Sequence, residues 1–237
     1  MPNSLTDTMN YMLPFCRYQA ENLGVSGMPM IGIGNIVRNI VLAAPFTWRF
    51  NRNNVNLIGI TQGQQDYTQN ISDFGFLEKA TANDNTTSWE FKDVKNNEAL
   101  ASSVTQARPM TISAFNDDLA GNITFRLSAV PDSAYTINLV YQKAPVQFTT
   151  VTDSWFPIPD SFSDVYNNLC LGYYMDSCQD SRATQYIARG IAGLLSRAQG
   201  LSAMDKAIFA ASYLNFNAQT MLEMMKTQQG QQAQAAR

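Results

Sequence analysis

Closely spaced carboxylates are the first residues of this chain that could do chemistry. Asp117-Asp118 has the oxygens to hold a divalent cation or to divide acid and base work, and Asp153, Asp160 and Asp164 gather three more in one short stretch. Both sets also have a plainer reading. Asp117-Asp118 precedes Gly121 in an Asn/Asp-rich run, the composition of an Asx turn. The second set flanks an expected helix start, where carboxylates cap free N–H groups and meet the positive end of the dipole. The chain has no histidine, which removes the common Ser/His and Cys/His arrangements and histidine metal ligation. Cys16, Cys170 and Cys178 are odd in number and lack CxxC spacing. Cys170 and Cys178 share roughly one helical face and read as small buried apolar side chains, with a reducing compartment as the default. Gly32-Ile-Gly34 lacks the third glycine and the preceding strand of a dinucleotide loop, and there is no GxxxxGK[ST]. No catalytic residue, metal or cofactor is expected, so the chain reads as built to be assembled, not as an enzyme.

Composition agrees with that. Charged residues are 15% of the 237, against about 25% in ordinary globular chains. Much of the surface must therefore be neutral and polar, which suits extended protein contact because interface cores are depleted in charge. A merely Asn/Gln-rich soluble protein has the same composition. The net charge is −3 and the sixteen basic residues are spread singly, so a static nucleic-acid clamp, which needs clustered cations, is not expected. The start, Met-Pro-Asn-Ser-Leu-Thr-Asp, has no basic region leading into an apolar core and predicts no secretory signal. The most apolar window, 28–46, is interrupted by Asn35, Arg38 and Asn39, so no membrane anchor is expected.

The elements follow from the hydrophobic period. A weakly amphipathic helix is predicted over 7–23, with Tyr11, Phe15, Tyr18 and Asn22 on one face and Pro14 starting or kinking it. A loop over 24–29 precedes a helix over 36–44, capped by Asn35 and ended by Pro45. After Asn51 the period falls to two, and strands are predicted at 55–61, 67–71, 76–81, 88–94, 110–115, 122–130 and 135–141. Ile123-Thr-Phe-Arg-Leu127 and Tyr135-Thr-Ile-Asn-Leu-Val-Tyr141 alternate most cleanly. Short strands joined by Asn/Asp turns argue for an antiparallel sandwich or barrel. From Pro159 the period returns to 3.6, predicting a helix from a cap at Asp160 or Ser161 to about residue 178, a second over 181–195 and a third from 203 to about 225. Economy of burial then predicts an α+β fold. A helical bundle drawn from both arms, 1–50 plus 160–226, carries an inserted β-sandwich or barrel lobe, 51–159, with a flexible C-terminal tail, 227–237.

The succession of landmarks resembles a family. A helix ending in Ala-Ala-Pro is followed by Phe46-Thr-Trp-Arg-Phe-Asn51, a short strand, Gln64-Gln-Asp-Tyr67 and Asp73-Phe-Gly-Phe-Leu-Glu-Lys79. Then come Arg108-Pro109, Ile123-Thr-Phe-Arg126, Pro131, Tyr141-Gln-Lys143 and Trp155-Phe-Pro-Ile-Pro-Asp160 opening a helical C-terminus. Over residues 30–225 this order is similar to tailed-bacteriophage head-to-tail adaptors, the ring-forming tubular proteins below the portal. Neither the segment 9–29 nor the Gln/Ala-rich tail matches. The resemblance implies a structural virion protein of the neck between capsid and tail, made in the host cytoplasm, forming a homo-oligomeric ring of about twelve copies. Its implied partners are the portal protein, a distal tail or nozzle protein and tail fibres, with double-stranded DNA passing through the ring without specific binding.

Two residue sets are candidates for that work. Trp48, Phe50, Trp155 and Phe156 lie where the period changes, and read as a structural junction of bundle and sheet. Met221, Met224 and Met225, followed by Gln228, Gln229, Gln231 and Gln232, offer an adaptable surface for docking to the portal or a neighbour, although the methionines fit a bundle core equally well. The alternative from another class is a β-sandwich binding or fibre-attachment module of a phage tail. Exposed Tyr and Trp on a sheet face would favour it. A cell-wall hydrolase would need two carboxylates within catalytic reach, and no pair stands out.

Overall fold

The computed structural model describes residues 3–16, 28–57, 60–118 and 120–214. Met221, Met224, Met225, Gln228, Gln229, Gln231, Gln232 and the whole 227–237 tail lie outside the described residues, as do Tyr18 and Asn22. The chain divides into two compact units, Met1–Phe46 with Val146–Arg237, and Thr47–Pro145. Residues 146–159, grouped by periodicity with the strands, fall in the first of these.

In the helical unit, α1 (Leu5–Met12) starts at a capping box: the Asp7 N–H donates to the Ser4 hydroxyl, and the Ser4 N–H donates to the Asp7 carboxylate. Pro14 then turns the chain into a 3-10 turn, Leu13–Phe15, and the α-helix stops short of the predicted span. Helix α2 (Met28–Leu42) begins well before the predicted cap. Pro29 is its second residue, where the missing N–H would be unpaired anyway. Asn35 is inside the helix and is not its cap, and Gly32-Ile-Gly34 is helical and forms no phosphate loop. After the 3-10 turn Asp160–Phe162 come α3 (Ser163–Ser177), α4 (Ala183–Arg197) and α5 (Ala203–Leu214). Neither Asp160 nor Ser161 caps α3. Phe162 is the capping residue and makes no side-chain bond to the helix, while the Asp160 carboxylate accepts from the Asn3 N–H at 2.8 Å. Helices α3 and α4 approach closely because each brings a glycine: a Cβ on Gly172 would lie 2.6 Å from Ile187, and one on Gly190 2.5 Å from Leu169.

The β unit holds β1 (Arg52–Leu57), β2 (Asp66–Asn70), β3 (Phe74–Asn83), β4 (Ser88–Glu90), β5 (Asp93–Asn96), β6 (Thr111–Asp117), β7 (Asn122–Leu127) and β8 (Thr136–Lys143). They form two four-stranded sheets, β1-β8-β3-β4 and β2-β7-β6-β5, and no closed barrel. The predicted strand over 88–94 is two strands in different sheets, divided at Phe91-Lys92. The strands pair antiparallel as expected, with one exception: β5 pairs with β6 in parallel. The physical reason is the connection, since residues 97–110 are long enough for the crossover a parallel pair requires. One apolar core joins the sheets, with Leu77, Ala80, Ile137 and Leu139 from the first and Tyr67, Ile112, Phe125 and Leu127 from the second. Strand β7 buries every second side chain, as its alternation predicts.

Candidate assembly surface

Arg38 is the centre of the helical unit's best-defined polar arrangement. It interrupts the apolar run of α2 and is nonetheless buried. Its guanidinium spans three backbone carbonyls: Nη1 donates to Val146 O at 2.5 Å, and Nη2 donates to Ser154 O and, at 3.0 Å, to Phe156 O. The cation also lies 3.8 Å from the centre of the Phe148 ring. Burial lowers its pKa to about 10, so it stays charged at neutral pH. One turn earlier on α2, the Asn35 amide accepts from Phe148 N–H at 2.6 Å and donates to Phe148 O at 3.2 Å. The segment 146–156 is thus held by two side chains of one helix. From the other side Leu5 and Thr6 donate backbone N–H groups to Asp153 O and Val151 O. Phe148, Trp155 and Tyr166 complete the anchor. Trp155 is fully buried, stacked 4.3 Å from Tyr166, edge-on to Phe148 at 4.9 Å, and its indole N–H donates to Thr8 at 2.9 Å.

Onto this rigid base the unit puts apolar side chains that it does not bury. Nine large apolar side chains are exposed among the described residues, and eight belong to the helical unit. Val146 and Phe156, whose carbonyls share the Arg38 guanidinium, are 72% and 68% exposed, and Ile36 lies one turn from Asn39, whose amide oxygen accepts from Gln147. Tyr11, Leu13 and Phe15 form a second group, in which Phe15 meets Tyr186 of α4. Met204 and Ile208, one turn apart on α5, form a third.

Among the described residues the β unit exposes only Val104 of this kind. Its sheet-face tryptophan, Trp89, is half-buried, with the Arg108 guanidinium 3.6 Å above the ring and its indole N–H donating to Pro109 O. One polar network reaches its interior. Buried Gln142 accepts from the Trp48 N–H at 3.1 Å and donates to Glu78 at 2.7 Å, and Arg52 donates to the same carboxylate. This ties the start of the unit to β8 and β3.

The four aromatic residues expected at a junction are divided between the units: Trp48 and Phe50 stack at 5.7 Å in the β unit, and Trp155 and Phe156 lie in the helical unit. Only Phe156 of the four is strongly exposed. Asp118 closes an Asx turn, accepting from the Asn122 side chain at 2.7 Å and from the N–H groups of Asn122 and Ala120; these bonds lower its pKa. Asp153 is likewise held below the usual carboxylate range, first by the Thr149 N–H. Asp164 pairs with Arg197 at 2.8 Å. Burial raises the Cys170 thiol strongly and the Cys16 thiol to about 11, so neither is a thiolate at neutral pH. Among the described residues no group of three or more His, Cys, Asp or Glu could hold a metal ion. No described helix is long and apolar enough to cross a membrane.

The buried Arg38 went unread in the sequence, where it counted only as a break in an apolar window. The available signal was a lone arginine on the inner face of a helix, a residue type almost never fully buried unless it is paired. No curated protein matches the chain. A family model described as SU10 adaptor protein matches residues 40–233.

Proposed function

This chain belongs to the SU10 adaptor protein family, a family of phage adaptors, and from that premise we propose that its copies close into a ring joining the portal to the tail in the virion neck. The ring extends the DNA channel and hands the tail side to a distal tail or nozzle protein. The observation that supports this reading is the uneven surface: exposed apolar side chains are concentrated in the helical unit, and two of them, Val146 and Phe156, stand on a segment held by Arg38 and Trp155. Rigid apolar faces suit contact between identical subunits in a closed ring, and loops of the β unit are left for the next component. Several cations are already paired, Arg52 with Glu78, Arg126 with Asp66, Arg182 with Asp180 and Arg197 with Asp164. Cations that are dispersed and paired in this way suit a channel through which DNA passes without being held.

Within this reading the Met221, Met224 and Met225 segment, with Gln228, Gln229, Gln231 and Gln232, docks on the portal or an adjacent copy. The test mixes the full-length chain with the portal ring of the same virion and measures mass. A complex carrying a whole ring of chains is expected, and a chain that stays monomeric and unbound at micromolar concentration contradicts it. Deleting 227–237 is expected to weaken portal attachment while leaving the thermal midpoint unchanged.

A further inference from the structure

The helical unit carries two exposed groups of opposite chemical character, set at different places on its surface. The first is aromatic and cationic. Tyr11 and Phe15 lie 5.5 Å apart, Phe15 meets Tyr186 at 5.9 Å, and the Arg189 guanidinium lies 5.5 Å from the Tyr186 ring centre. Arg189 also lies within electrostatic reach of the Tyr11 hydroxyl. Among the described residues Arg189 forms no ion pair, whereas Arg182 and Arg197 near the two ends of α4 are each paired with an aspartate. Tyrosine with arginine is the composition of interface hot spots, because large rigid rings and a weakly hydrated cation lose little on desolvation.

The second group is aliphatic and anionic. Met204 and Ile208 are each 51% exposed on the outer face of α5, and exposed Asp205 borders them. Lys206 falls on the opposite side of that helix by its period. The inner side is occupied by Ala207 and Ala210, both buried, and by Phe209 packed edge-on to Phe46 at 4.7 Å. Tyr186 lies in the first turn of α4, whereas Met204 and Ile208 lie on α5, which follows the other end of that helix, about 16 Å along its axis.

We propose that the Tyr11, Phe15, Tyr186 and Arg189 face of one copy receives the Met204, Asp205 and Ile208 face of α5 from a second copy of this chain. The inference rests on the ring reading and names its lateral contact. Charge and shape class match: Arg189 meets Asp205, and the aromatic rings receive the two aliphatic side chains. The contact joins two different surfaces, which is the condition for a closed ring instead of a two-fold dimer.

The test is a charge exchange in the full-length chain, read by sedimentation velocity with and without the portal ring. Arg189→Glu and Asp205→Arg are each expected to weaken self-assembly by at least about tenfold, and the double variant to restore it. Both positions are exposed, and unchanged circular dichroism confirms folding. Because Asp205 also bonds Ser202 at 2.7 Å, Ile208→Glu gives a second disruption of the same face that spares this cap. Wild-type protein that never assembles removes the ring reading itself. Wild-type rings that persist in Arg189→Glu and Ile208→Glu overturn only the proposed contact, and so does loss in both single variants without rescue in the double. Loss of portal binding with self-assembly intact assigns the faces to the portal and also overturns it.

Discussion

The two units solve the problem of a weakly charged surface in opposite ways. The β unit turns its apolar side chains into one core between two sheets and covers the outside with amides and hydroxyls, such as Asn53, Asn54 and the Thr68–Thr124 pair. The helical unit uses comparable aromatic burial around Trp155, yet leaves Tyr11, Phe15, Phe156, Met204 and Ile208 in solvent. A surface that costs solubility without adding to the fold is retained where something else covers it. Among the described residues the β unit leaves one large apolar side chain in solvent and the helical unit leaves eight, and the proposed assembly rests on that difference.

The strongest way to break the comparison is through the helical anchor. Trp155→Ala removes a fully buried ring and leaves Thr8 without its donor. A loss of about 3–5 kcal/mol is expected, seen as a large fall of the thermal midpoint. Trp48→Ala in the β unit removes a ring stacked on half-exposed Phe50 and is expected to cost less. An equal or reversed order would show that the helical anchor is not the tighter of the two.

Arg38→Met comes next. It leaves the carbonyls of Val146, Ser154 and Phe156 without their shared donor, and a loss of about 2–4 kcal/mol is expected, at about 1–3 kcal/mol for each buried group left unmet and some of these regaining water. Arg38→Lys is expected to recover little, because an ammonium lacks the fork that reaches carbonyls on both sides. Denaturant midpoints measure both.

A matched surface pair sharpens the contrast at smaller energies. Phe156→Asp and Val104→Asp each place a charge on an exposed apolar position, and both are expected to stay within about 0.5 kcal/mol of wild type in stability. Phe156→Asp is expected to reduce assembly, and Val104→Asp to leave ring mass unchanged.

The smallest effect is acid sensitivity. Hydrogen bonds from Arg182 lower the Asp180 carboxyl to about 2. A depressed folded pKa stabilises fully above the unfolded value and is lost as pH falls through the folded one, here between about pH 4 and pH 2. Asp180→Asn is expected to flatten the thermal midpoint over that window.

Periodicity located the strands because alternation and burial are the same fact: Ile123, Phe125 and Leu127 point inward and Thr124 and Arg126 do not. It failed on α2, where Pro29, Gly32 and Gly34 weaken any local helix signal. The helix is secured by tertiary contact, for a Cβ on Gly34 would meet Leu5 at 3.0 Å and Phe148 at 3.1 Å. The same packing hid the Arg38 arrangement, whose acceptors are backbone carbonyls more than one hundred residues away and carry no residue type to read. Change of period did single out Trp155 and Phe156, but which of them is buried depends on Thr8 and Tyr166, which no local window contains.

Hydrogen exchange of the free chain against the assembled ring tests the central claim most directly. New protection is expected in residues 5–16, 146–156 and 203–214 of the helical unit, with the strands of the β unit unchanged until the tail component is added. Protection appearing first on the β-unit strands or around Val104, with those three segments exchanging as in the free chain, contradicts it.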